Sequence, residues 1–174
     1  MLRQLMNAAM LSAAMVVPGG LVATQAFAEV VYNRGNDTDP TTLDHHKTTT
    51  VAEGHLMRDL YEGLVVQNNK AEVVPGVAES WEISDDGLVY TFKLRQDAKW
   101  SNGDPVKASD FVFTYQRIQN PETAAPYANM QYPILNAEAI NKGEKELAEL
   151  GAKALDDNTL EITLNAPTPT FSNC

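Results

Sequence analysis

The chain has 174 residues, 44% of them hydrophobic and 21% charged, with a formal net charge of −10 and one cysteine, Cys174. That length allows one or two domains. The acidic balance argues against a general nucleic-acid partner and against adhesion to anionic membranes, and a lone cysteine excludes an internal disulfide.

Residues 1–28 have the form of a secretory signal: Arg3, an apolar run from Leu5 to Val17, a break at Pro18-Gly19-Gly20, and a close on Ala26-Phe27-Ala28. Ala26 and Ala28 are the small residues a signal peptidase requires, which predicts cleavage between Ala28 and Glu29. The apolar run is shorter than the roughly 20 residues that span a bilayer. No cysteine lies near the cut, so no lipid-anchor motif is visible. The expected product is exported, soluble and acidic.

Val30–Tyr32 reads as a short strand that turns at Gly35, followed by a polar, turn-rich stretch through Thr50. Thr50 and Glu53 have capping-box spacing, in which each side chain satisfies the other residue's free backbone N–H. The helix they open is predicted over 51–62. Leu56, Met57, Leu60, Tyr61 and Leu64 form its apolar stripe, and Gly63 its left-handed cap. Leu64–Gln67 is strand-like, Asn68-Asn69 a turn, and Trp81–Ser84 a further strand.

Asp85-Asp86-Gly87 is a hairpin turn into the alternating strand Leu88–Arg95, with Leu88, Tyr90, Phe92 and Leu94 on the buried face. A charge at Leu88 is therefore expected to unfold this part. A helix opens at Lys107 or Ser109 with Asp110 in its first turn. Phe111, Val112, Tyr115 and Ile118 are its buried stripe, and Pro121 and Pro126 stop it. Residues 145–150 form a short helix before Gly151. The last hairpin turns at Asp156-Asp157-Asn158, with Leu160, Ile162 and Leu164 inward on the return strand. The fold class is α+β: a mixed or antiparallel sheet built from hairpins, with flanking helices.

Little in this sequence carries reaction chemistry. Asp85-Asp86 and Asp156-Asp157 sit in turns, where aspartate is favoured for backbone reasons. His45, His46 and His55 lack a further ligand at a metal-site spacing. The adjacent pair His45-His46 would point apart in extended chain, and these histidines are read as solvated. No nucleophile–histidine–acid set, phosphate-cradling glycine loop or cysteine pair is present. The chain is not expected to be an enzyme or to carry a cofactor or metal.

The segment from Pro75 to Arg117, "PGVAESWEISDDGLVYTFKLRQDAKWSNGDPVKASDFVFTYQR", resembles the signature of the periplasmic oligopeptide-binding proteins of bacterial ABC importers, family 5 of the extracellular solute-binding proteins. "TLDHHKTTTVAEGHLMRDLYEGL" before it and "PETAAPYANMQYP" and "KALDDNTLEITLNAPTP" after it fit the same pattern. The resemblance implies a partial periplasmic-binding-protein fold. Residues 29–61 would open the ligand-binding main lobe, and 62–174 would be most of a small accessory lobe in an N-terminal fragment of a longer protein. It implies that Trp100 braces the start of the helix after it, while Asn102-Gly103 turns the chain.

The function implied is capture of oligopeptides by main-chain contacts in a cleft between two lobes, and delivery to a membrane ABC permease, by a periplasmic monomer. Thr49, Thr50 and Val51 match the stretch that pairs with the peptide main chain, and Tyr127 matches a tyrosine near the peptide's N-terminal end. Thr49 stands where a member of the family carries an acidic residue, which implies a lost charged contact, and Lys107 stands where a threonine would cap the helix. The aspartate that pairs with the peptide's α-amino group, and the opposing lobe, would lie beyond Cys174. The alternatives are a ligand-incompetent accessory lobe or interaction module with no transport role, and a relative that binds dipeptides or metal complexes.

Overall fold

The period-two alternation of 88–95 forms the centre of the sheet in the computed structural model, which describes residues 31, 33, 35–169 and 171. The signal-like segment 1–28 lies outside the described residues, as does the strand expected at 30–32 apart from Val31, which is exposed and irregular. Met1–Arg34 and Gly35–Cys174 are separate units, and everything below concerns the second.

Its elements in chain order are α1 (Val51–Leu60), β1 (Val65–Gln67), β2 (Val73–Pro75), β3 (Ala78–Ile83), β4 (Val89–Leu94), α2 (Ala108–Gln119), α3 (Ala137–Asn141), β5 (Ala152–Asp156) and β6 (Thr159–Thr163). Strands β1 and β2 form a small hairpin; β3, β4, β6 and β5, in that spatial order, form a four-stranded sheet, and every pairing is antiparallel. In the register, Phe92 lies between Trp81 and Leu160, and Tyr90 between Ile83 and Ile162. No helix among the described residues is long and apolar enough to cross a membrane.

The alternation sends Tyr90, Phe92 and Leu94 of β4 and Leu160 and Ile162 of β6, with Leu164 beyond it, into one core. Phe111, Val112 and Tyr115 of α2 pack on it, and Ile134, Ala137 and Ile140 close its far side. Burial pushes the Tyr115 phenol up to about 12. Leu88 lies just before β4 and is only half-buried, so β6 supplies a harsher test of this core than Leu88 does. At the tip of the β3–β4 hairpin Gly87 has φ +71, which the turn requires. Gly76 is needed for contact: a Cβ there would lie 2.5 Å from the Gly63 carbonyl.

Trp100 braces the start of α2, as the resemblance implied. Its indole Nε1 donates to Asp110 Oδ2 at 3.1 Å, while Gly103 N–H returns to the Trp100 carbonyl at 2.8 Å. The same Asp110 oxygen accepts the Lys107 N–H at 2.9 Å. Lys107 is the N-cap, but its ammonium has no lone pair to accept a helix N–H, so only the Asp110 half of a capping box forms. Lys107 Nζ pairs instead with Asp157 at 2.8 Å.

Three expectations about local structure are corrected. Gly63 is not a left-handed cap; α1 ends at Leu60 because Tyr61 turns extended, and the chain from Gly63 bonds to 76–78. The Gly63 carbonyl accepts Val77 N–H at 2.9 Å, and the Leu64 carbonyl accepts Ala78 N–H at 2.9 Å. The apolar stripe of α1 is not its buried face either: Leu60 is 62% exposed, Leu56 and Met57 are half-buried, and the buried residues are Ala52 and Glu53. The face of α1 is set by the demand to bury Glu53 with its partners. Between α2 and β5, the sequence expectation of one short helix omitted α3 and the short 3₁₀ turns at 121–123 and 128–131, which carry no sustained apolar period.

Candidate functional site

The stretch before α1 is organised by one carboxylate. Glu53 is fully buried, and its side chain accepts four hydrogen bonds. Oε1 takes the Thr41 N–H (2.9 Å) and hydroxyl (2.6 Å); Oε2 takes the N–H groups of Thr49 (2.8 Å) and Thr50 (3.0 Å). Thr50 Oγ1 accepts the Glu53 N–H at 3.2 Å, completing the capping box. The Thr41 hydroxyl, then the Thr49 and Thr50 amides, hold the Glu53 carboxyl well below the usual carboxylate range.

These bonds fix which backbone groups the segment can offer. The N–H groups of Thr49 and Thr50 are consumed inside the fold. Their carbonyls point elsewhere: the Thr50 carbonyl accepts Gly54 N–H at 3.0 Å in the first turn of α1, and the Thr49 carbonyl meets the Tyr127 hydroxyl at 3.4 Å. Thr50 is extended (φ −104, ψ 157), and Val51 is already the first helical residue, with 76% of its surface exposed. Tyr127 comes from the loop after α2, 78 positions away, and is 57% exposed. The structure thus brings together all four residues singled out in the sequence, Thr49, Thr50, Val51 and Tyr127, on one open surface. The stretch 49–51 pairs with no strand of the sheets described above.

A second anchor lies a few residues upstream and was missed in the sequence. Arg117 of α2 makes a two-pronged contact with Asp44, Nη1 to Oδ1 at 2.9 Å and Nη2 to Oδ2 at 2.6 Å. Nη1 also reaches His46 Nδ1 at 2.6 Å. Asp44 in turn accepts the His46 N–H at Oδ1 (3.1 Å) and the Lys47 N–H at its carbonyl (2.8 Å), which curls 44–47 into a turn. The Arg117 hydrogen bond is the main cause that holds the Asp44 carboxyl well below the usual carboxylate range. That contribution to stability is present above the range and is lost as pH falls through it.

His45 and His46 do not diverge as in extended chain; His45 is exposed as expected, whereas His46 is buried. Because they sit in this turn, the His45 and His46 rings meet edge-on with centroids 3.9 Å apart, and the His45 ring lies tilted against Tyr61 at 4.9 Å. Burial, the neighbouring His45 and the Arg117 charge bring the His46 pKa down to about 4. Among the described residues, no group of histidine, cysteine, aspartate or glutamate is arranged to hold a metal. Nothing in the sequence around Arg117 marks its partner, since Asp44 is 73 positions away.

A cavity of about 1050 Å³ opens beside β4 and α2, lined by apolar groups such as Leu64, Val77, Phe92 and Phe111, with His45 and Tyr61 in its wall. Part of its polar rim is engaged, Arg95 with Glu62 at 2.7 Å and Asp110 with Trp100, while Arg95 Nε is buried without a hydrogen-bond partner.

The sequence model described as "Bacterial extracellular solute-binding proteins, family 5 Middle" matches residues 72–174. The periplasmic oligopeptide-binding protein OppA of Escherichia coli is 46% identical over 157 residues, which cover 89% of this chain and 28% of the relative. The periplasmic murein peptide-binding protein MppA of the same organism is 43% identical over 171 residues, 97% of this chain and 31% of the relative. Among solved structures, Haemophilus influenzae OppA in complex with RPPGFSPFR superposes with a TM-score of 0.75 at 46% identity, over 78% of this chain and 27% of that one. The chain thus spans less than a third of the length of these relatives.

Proposed function

As this chain belongs to the bacterial extracellular solute-binding proteins of family 5, we propose that it contributes one wall of a peptide site. The relatives named above, OppA and MppA, are peptide-binding proteins, and solute-binding proteins rather than enzymes. In this reading it works in the periplasm, in the capture of oligopeptides for an ABC permease. Residues 29–61 then belong to the ligand-binding lobe and 62–174 to a small accessory lobe.

One observation carries the reading: Thr49, Thr50, Val51 and Tyr127 share an open surface whose backbone is held in place from behind by Glu53. Main-chain recognition needs such a stretch, fixed before the ligand arrives, so that little ordering cost falls on binding. With the Thr49 and Thr50 N–H groups spent internally, the segment contacts a ligand through the Thr49 carbonyl and the exposed Val51, with the Tyr127 ring beside them. The Thr49 carbonyl is an acceptor, so the matching ligand group is a donor, an amide N–H or an amine.

Backbone amide spectra of the chain recorded against a mixed tri- to pentapeptide pool at about 10 mM, well above a millimolar dissociation constant, test this. The expected shifts are confined to Thr49, Thr50, Val51 and the neighbourhood of Tyr127. Shifts confined to the residues lining the apolar cavity would refute the assignment.

A further inference from the structure

Arg117 has no lone pair, so in its contact with His46 the guanidinium must donate and Nδ1 must accept. The ring is then neutral, with its proton on Nε2. That Nε2 is buried and has no hydrogen-bond partner among the described residues. Adding a proton to Nδ1 uses the lone pair that the bond requires and sets an imidazolium against the guanidinium. The groups facing this ring are Arg117 from α2, and Asp44 and His45 from its own turn, with Tyr61 behind His45 at the end of α1.

We propose that Arg117 is a positioning residue for the ligand-facing segment, acting through Asp44 and His46, and that protonation of His46 weakens this anchor in mild acid by removing one of its two partners. The inference deepens the peptide-site reading and rests on it only for the word "ligand"; the latch itself is a property of the free chain. The two anchors differ in kind. Glu53 holds 41 and 49–50 through acceptor oxygens that keep their charge until far below neutrality. The 44–47 turn is curled by Asp44, and its tie to α2 includes, beside the Asp44 fork, a ring nitrogen that accepts only when neutral. Burial and the neighbouring charges favour that neutral form in the folded chain, whereas Asp44 opposes them. The sign follows: the closed latch is fully stabilised above the ordinary histidine range, weakens as pH falls through it, and loses no more once pH is below about 4.

The test uses the whole chain without ligand. Ring-nitrogen NMR of His46 is expected to show the Nε2–H tautomer at pH 7. Between pH 7 and pH 4.5 the exchange protection of the His46 and Lys47 amides is expected to fall about tenfold or more, while amides of β4 and β6 keep theirs. His46→Asn supplies an acceptor that does not titrate, and its protection in the turn should stay flat over that range. If that variant loses the β4 and β6 protection as well, Arg117→Lys replaces it: it keeps the charge but cannot span both partners, so turn protection at pH 7 drops and the His46 titration moves toward the ordinary value. An Nδ1–H tautomer at pH 7, turn protection that ignores pH in the unmodified chain, or the same acid loss in His46→Asn would each overturn the latch. None of these readouts involves peptide, so their failure leaves the peptide reading standing, and a failed peptide titration leaves the latch standing.

Discussion

Leu160→Asp is expected to leave residues 35–169 unfolded at neutral pH, seen as loss of the cooperative thermal transition and of near-ultraviolet aromatic signal. Leu160 is completely buried in β6, its backbone flanked by Phe92 of β4 and Ala154 of β5. Truncation alone, as Leu160→Ala, removes packing and leaves a cavity, at a cost of about 2–5 kcal/mol. The aspartate adds a carboxylate among the apolar side chains of the core, and such charges cost several kcal/mol even after relaxation. Together these approach the roughly 5–15 kcal/mol that holds a domain of ordinary stability. Lys93→Ala, on the opposite face of β4, keeps the transition near its original temperature. An unchanged melting curve for Leu160→Asp would mean that the facing of β6 is wrong.

Glu53→Ala has the second large effect, and it reaches the candidate site as well as stability. The substitution strands four donors that converge on the buried carboxylate: the Thr41 amide and hydroxyl, and the amides of Thr49 and Thr50. Leaving such groups unpaired costs more than the lost bonds were worth net. The expected result is a clear drop in melting temperature, with exchange protection lost first at Thr49 and Thr50. Glu53→Gln is not a rescue: one end of the amide must present N–H groups to donors, whichever way it is turned. Because the folded chain holds this carboxyl far below its usual range, the stabilisation is present above that range and lost as pH falls through it, and neither variant should show that acid slope. A Glu53→Ala chain that melts with the unmodified one would remove the structural basis of the site.

The hairpins were legible because two independent signals coincide in each. Alternation in 88–95 and 160–164 gives the buried face, and Asp85-Asp86-Gly87 and Asp156-Asp157-Asn158 give the turns. The pairing of β4 with β6 was not legible, since nothing in either strand names a partner some 70 residues distant, and the order β3-β4-β6-β5 follows from it. The capping box at Thr50 and Glu53 could be read from spacing alone; the reach of Glu53 back to Thr41 could not.

Helix α1 shows why. Its apolar period predicted one buried face, but the four bonds to Glu53 set another, leaving Leu60 and Val51 largely exposed. Adjacency misled in the same way at His45-His46, where a turn fixed by Asp44 replaces the extended chain and places His46 beside Arg117. The four site residues came from the family resemblance. Their juxtaposition is a property of the structure, in which Tyr127 meets the Thr49 carbonyl.

The central claim is that these residues form a single open wall. A peptide laid on it gains main-chain contacts on one side, yet bears the full cost of being ordered. Val51 at 76% and Tyr127 at 57% exposure show how little of the surface is enclosed within this chain. Titration calorimetry of the purified chain with a tri- to pentapeptide pool tests this directly. The account predicts dissociation constants of about millimolar or weaker. Micromolar binding by this chain alone would contradict it, because one uncovered wall could not supply that affinity.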